Sequence, residues 1–356
     1  MANSIDYRYL KIRKGDRGDM ADRQVISKQR IDYIDIFRAF GIILMIMGHI
    51  GFGSLFDRWI HIFHMPMFFV ISGFFYRQQS FGNLIRSRAK SLLIPYFVFG
   101  IFHLLLYFIA KGGASCHALY LFLWENTAEG GLPIAGALWF LTAMFFSEII
   151  FWWVQNIKIT EIGKYVISAL IAIIGMACAV YLSFRLPWAF DVGMLGAGMH
   201  QIGKLIREKC QKILELRLGT AILGIVAFSI IGMLNGYVNL RQGTYGIWSL
   251  FWITAVGLIV MFWNFFRVIY SRGERILPHV MIWLRRIGRD SIVYLCLNQL
   301  AIMIAKKLTE LVIQPDGMLE MLFVKLIIFT MTLIELTIAH KIIMSTKLRA
   351  LVGKEL

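Results

Sequence analysis

Ten stretches of the chain are each apolar over close to the length that crosses a bilayer: about residues 33–54, 59–76, 91–110, 137–155, 165–184, 188–203, 218–235, 246–266, 290–310 and 319–340. A spanning helix takes roughly 20 such residues. In lipid an α-helix satisfies its backbone polar groups internally. The expected fold is therefore an all-α polytopic membrane protein, a bundle of about ten transmembrane helices. Composition agrees, with 58% hydrophobic and only 16% charged residues, where a soluble domain has about a quarter charged.

The net charge is +16. On a soluble chain that excess would point to nucleic acid. Here the basic residues fall in short runs between apolar segments, as cytoplasmic loops do, so no nucleic-acid partner is expected. With the amino terminus inside, all but seven of the 37 Lys and Arg residues lie on the inner side. Both termini are therefore expected to be cytoplasmic, with residues 1–30 a polar tail, 31–345 the transmembrane domain and 346–356 a second tail. No cleavable signal peptide is expected in the charged first 30 residues. The four cysteines are scattered without zinc spacing, so neither a disulfide framework nor a structural metal is expected.

Two costly residues sit in the first segment, "FRAFGIILMIMGHI". Arg38 and His49 are eleven positions apart. At about 100° per residue they share one helix face, and they are separated by roughly 16 Å along the axis. Ionisable residues at such depth are retained for function or for pairing. Arg38 has Asp35 one turn away as a possible partner, whereas His49 lies past the midplane. His64, in "HIFHMPMFFVISGFFYR", is expected at a comparable depth, with Pro66 kinking its helix and Ser72 and Gly73 admitting a close neighbour. A metal held by His61 and His64 is not expected, because no carboxylate joins them at a recognised spacing. In "RQQSFGNLIRSRAKSLLIPYF", Arg86, Arg88 and Lys90 form a basic cluster at the inner face, either an ordinary positive-inside loop or a phosphate clamp, a role for which guanidinium forks are suited.

Arg38-x10-His49, "FHMPMFFVISGFFY", "RSRAKSLLIPYF" and "GALWFLTAMFFSEII" resemble the integral-membrane acyltransferase 3 family, which includes O-acetyltransferases of surface polysaccharides. "RLPWAFDVGMLGAGMHQIGKLI" and "IGRDSIVYLCLNQL" are similar to its later helices, so the resemblance covers about residues 31–345. It implies a multi-pass enzyme of the cell membrane, using acyl-CoA (usually acetyl-CoA) from the cytoplasm and no metal. The acceptor it implies is a hydroxyl of a surface glycan, a lipid-linked sugar or a glycolipid. Arg38 and His49 match the family's signature pair, and His64, Arg86, Arg88 and Trp139 match other recurrent positions. Where many relatives read "IYLLH", this chain has "VYLCLNQ", which places Asn298 near the expected histidine.

The expected division of labour follows. Arg38, Arg86 and Arg88 bind the CoA phosphates, the pantetheine arm runs along the first helix, and His49 with His64 forms the catalytic end. Either His49 removes the acceptor proton or it carries the acyl group itself; the sequence leaves both open. Trp139, Asp191 and Asn298 are candidate acceptor contacts, and Asp57, Glu148 and Asp191 candidate orienting carboxylates. The competing reading is a transporter or flippase, in which intramembrane His and carboxylates relay protons. Oligomeric state is left open.

Overall fold

The computed structural model describes residues 32–127 and 135–354. The expected tail at 1–30 lies outside the described residues, and that at 346–356 is described as far as 354. Asp32–Leu356 forms a single unit. It is helical throughout: among the described residues the only β pairing is an isolated bridge between Asn239 and Thr244.

In chain order the helices are α1 (Asp32–Ile50), α2 (Ser54–His61), α3 (His64–Phe74), α4 (Phe81–Arg88), α5 (Ile94–Lys111), α6 (Cys116–Leu123), α7 (Trp139–Asn156), α8 (Glu161–Tyr181), α9 (Phe190–Lys209), α10 (Leu218–Leu234), α11 (Trp248–Ile276), α12 (Pro278–Arg289), α13 (Ser291–Glu310) and α14 (Met318–Ser345). Among the described residues six helical runs are long and apolar enough to cross a membrane: α1, the continuous run Phe81–Lys111, α8, α11, α13 and α14.

Four of the ten expected segments take other forms. Segment 59–76 is divided between α2 and α3. The break falls at Phe63 (φ −137°, ψ −23°) rather than at Pro66. A proline ring clashes with the carbonyl four residues earlier, so a helix running in from α2 cannot continue through it. Starting α3 at His64 puts Pro66 in a first turn, where its missing N–H has no intrahelical partner to lose. Segment 218–235 becomes α10, which is apolar but shorter than the six. Segments 137–155 and 188–203 become α7 and α9, whose polar content keeps them outside that set. These two bury Glu148, Gln155, Asp191, His200, Gln201 and Lys204 inside the bundle, where each meets a polar or charged partner.

Two close approaches lock the bundle. On α3, a Cβ at Gly73 would lie 2.0 Å from the His200 carbonyl oxygen, and one at Gly203 of α9 would lie 2.1 Å from that of Val70. These reciprocal glycines bring α3 and α9 to backbone contact, the close approach that "SGFF" implied. At Gly288 of α12 a Cβ would lie 1.7 Å from the Asp35 carbonyl oxygen of α1.

The carboxy-terminal 3-10 turn Lys347–Val352 returns to the bundle. Asp290 receives Lys354 at 2.8 Å and His340 at 2.9 Å, with Arg289 at 3.2 Å. Burial alone would raise the Asp290 carboxyl, but the hydrogen bonds from His340 and Lys354, with Arg289 beside them, hold it well below the usual carboxylate range. A depressed carboxylate contributes stability that is fully present above its unfolded value of about 3.9 and is lost as pH falls through the folded value. At neutral pH the clamp is therefore closed. Asp290→Asn is expected to speed hydrogen exchange of the 347–354 amides about tenfold or more at pH 7. Unchanged exchange there would show that the clamp does not hold the turn.

Candidate active site

The α1 and α3 helices place charged groups at two ends. At one end, Arg38 lies 3.7 Å from Asp35, and its guanidinium sits 6.0 Å from the ring centroid of Phe75, just past the end of α3. One turn earlier on α3, Ser72 donates to Glu148 Oε1 at 2.6 Å. Glu148 Oε2 in turn lies 3.2 Å from Nε of Arg88. The structure thus brings Arg38 and Arg88 to the same end of α3. Arg88 is already engaged by a buried carboxylate, whereas Arg86 is exposed. A five-residue π-helical stretch, Ala89–Leu93, joins this basic cluster to α5.

At the other end three histidines gather. His49, next to last in α1, is exposed, and the ionisable groups acting on it include His61, Arg241 and Asp57. His64 opens α3 and is buried, with His61 and His49 as its ionisable neighbours. The rings of His61 and His64 meet edge to face, with centroids 5.0 Å apart. His49 and His64 thus lie at the same end of α1 and α3. Each helix break contributes: the chain leaves α1 through Gly51 and Gly53, both at positive φ (85° and 126°), and α2 folds back beside the α1 end. Asp57 Oδ1 comes within 4.0 Å of the Cβ position of Gly48.

Tautomers follow from the hydrogen bonds. His64 Nδ1 lies 2.6 Å from the Ile60 carbonyl oxygen, and His61 Nδ1 lies 2.7 Å from that of Asp57. A carbonyl only accepts, so in each ring Nδ1 carries the proton and Nε2 keeps a lone pair in the neutral form. Asp57 Oδ1 adds a contact of 3.3 Å to His61 Nδ1.

Between the two ends the shared face of α1 is covered. Ile42 and Met45, on the line from Arg38 to His49, are 1% and 5% exposed. Met67 and Phe68 of α3 lie against Gly41 beside them. The line along which a pantetheine arm was expected is lined by packed apolar side chains.

The three expected acceptor contacts are all buried. Trp139 opens α7 inside the core and packs edge-on against Phe140. Asp191 is 0% exposed and ion-pairs with Arg185 at 2.7 Å. Asn298 donates to the Leu295 carbonyl at 2.5 Å and lines a narrow crevice with Ala135, Leu138 and Cys296. Among the described residues none of them hydrogen-bonds or ion-pairs with His49; Asp191 is held by Arg185. Its partner Arg185 also donates to the carbonyl of Arg241 at 2.5 Å, which fixes the loop that carries Arg241.

That loop, 235–247, is what reading by residue type missed. It is pinned from within: Asn235 accepts from the Ile247 amide at 2.7 Å and donates to the Tyr245 carbonyl at 3.1 Å, and Arg58 of α2 donates to the Asn235 carbonyl. Tyr237 donates to Asp57 Oδ2 at 2.9 Å. Arg241 reaches toward Gly136 and Gln299, the residue after Asn298. The sequence signal was there in "NGYVNLRQGTYG", a polar, glycine-punctuated hairpin between two apolar segments.

Residues 31–340 match the acyltransferase 3 family model, described as an acyltransferase domain. No curated protein and no solved structure matches the chain.

Proposed function

This chain belongs to the acyltransferase 3 family, and on that premise we propose that it is an O-acyltransferase of the cytoplasmic membrane, moving an acyl group, acetyl in the first instance, from cytoplasmic acyl-CoA to a hydroxyl of a surface glycan, a lipid-linked sugar or a glycolipid. The observation that carries the reading is the division of the site: arginines at one end of α1 and α3, and a histidine cluster at the other. Arg38 and Arg86 meet the CoA phosphates, and Arg88, held by Glu148, braces that end.

In the direct route His49 takes the proton of the acceptor hydroxyl as its oxygen attacks the thioester carbonyl. The C–S bond then breaks, and His49 returns the proton to the departing thiolate, giving ester and free CoA. General-base help of this kind contributes about 10²–10⁴ in rate. Neutral His64, its Nδ1–H committed to Ile60, offers an acceptor nitrogen and no donor. It is thus suited to orienting a neighbouring N–H rather than to binding an oxyanion. Arg241, whose charge acts on His49, would offset charge developing on the carbonyl oxygen.

Proteoliposomes given radiolabelled acetyl-CoA and a membrane glycan extract test the reading. Label entering the carbohydrate supports it, whereas movement of solute without label favours a transporter. In the same assay Arg38→Ala is expected to raise KM for acetyl-CoA about 10- to 100-fold, the loss of one or two charge-assisted hydrogen bonds, with a smaller change in kcat. An unchanged KM would make Arg38 a structural partner of Asp35 alone.

A further inference from the structure

The buried positions of Trp139, Asp191 and Asn298 leave the acceptor without a recognised seat. An alternative lies beside His49. Tyr237 is 40% exposed, and its ring is 5.7 Å from that of His61 at an angle of 46°. Its hydroxyl and the His61 ring are tied to opposite oxygens of one carboxylate, Asp57. Asn239 adds its amide at 3.4 Å from the Tyr237 hydroxyl. In the turn between α1 and α2, nothing lies within 4 Å of the positions where Gly51 and Gly53 would carry a Cβ.

We propose that the rim formed by Asp57 and His61 of α2 and Tyr237 of the 235–247 loop is the acceptor subsite, which seats an uncharged sugar with one hydroxyl at His49. The proposal rests on the acyl-transfer reading and names the residues that choose its acceptor. A carboxylate offers about four lone-pair sites. His61 and Tyr237 occupy two, so Asp57 still accepts from sugar hydroxyls. His61 Nε2 is a further acceptor. The half-exposed face of Tyr237 presents a flat apolar surface for the C–H side of a sugar ring, next to a polar tip. The charge built into the rim itself is the Asp57 carboxylate, which disfavours an anionic ring, and the nearby Lys325 ammonium is engaged by the Gly51 carbonyl at 2.6 Å. The bare glycine turn gives the ring room at the end of α1.

The test uses the full chain in proteoliposomes with four p-nitrophenyl β-glycosides as probes: the glucoside, the galactoside, the N-acetylglucosaminide and the charged glucuronide. Binding is read by titration, and acyl transfer by release of CoA thiol. At least one neutral glycoside is expected to bind and to exceed the glucuronide. Tyr237→Ala is expected to weaken that binding about tenfold, with the change in acceptor KM and not in KM for acetyl-CoA. Tyr237→Phe keeps the ring and is expected to stay within about threefold, which separates loss of the stacking face from a misfolded loop. No binding of any neutral glycoside to the wild-type protein, preference for the glucuronide, or indifference to Tyr237→Ala would each overturn the subsite. Thiol release without glycoside binding would sink this proposal alone. Glycoside binding without thiol release would sink the acyltransferase reading instead.

Discussion

His49→Ala is expected to lower kcat for acyl transfer by about 10²–10⁴ while the protein reaches the membrane at wild-type abundance. The two halves of that expectation have different sources. His49 is the next-to-last residue of α1 and is exposed, outside the buried set of that helix, so truncating it takes little from the packed core. On the proposed direct route, what is lost is the group that receives the acceptor proton. KM for acyl-CoA should change little, because the arginine end is about three helical turns away. Steady-state kinetics on purified protein, with abundance checked in the membrane fraction, decide the matter. A turnover within a few-fold of wild type would remove His49 from the chemistry.

The largest effect on stability is expected at Gly288. Its missing side chain lets α12 seat against the backbone of α1, and a methyl group there would sit 1.7 Å from the Asp35 carbonyl oxygen. That neighbour is helical backbone, which cannot rotate away as a long side chain can. Gly288→Ala is therefore expected to cost about 3 kcal/mol, near the upper end for overpacking. Because the displaced residue is Asp35, which lies 3.7 Å from Arg38, the variant should also raise KM for acyl-CoA. Thermal unfolding in detergent measures the first effect and donor titration the second. Gly82→Ala, at a position where a Cβ meets nothing within 4 Å, is the matched control and should be silent. Equal melting of the two variants would show that the α1–α12 approach relaxes freely.

Local periodicity carried the sequence reading furthest. Arg38 and His49 lie on one continuous helix, so their spacing alone placed them at its two ends, and the depth argument put His64 at the same end as His49. Burial was beyond such reasoning. Trp139, Asp191 and Asn298 have the chemistry of sugar contacts, yet the bundle folds them inside, and Asp191 is consumed by Arg185. Residue type does not say which side of a helix faces the core. The converse error concerns Tyr237: its bond to Asp57 joins residues 180 positions apart, and no periodicity reports a contact of that range. Hydropathy separated six helices cleanly, but α7 and α9 are polar because their neighbours shield them from lipid, which a window average cannot register. Pro66 was read as a kink and instead marks a fresh start, because the preceding residues were free to break at Phe63.

The packed residues between Arg38 and His49 carry a consequence for fidelity. Met45 and Met67 are unbranched and soft, and their side chains shift at small cost. A thioester arm could part them on its way in and let them close behind it on leaving. A passage that exists only while filled holds no standing column of water. Wasteful hydrolysis of the activated acyl group would then be confined to the moments when its head is already at the mouth, beside a waiting sugar.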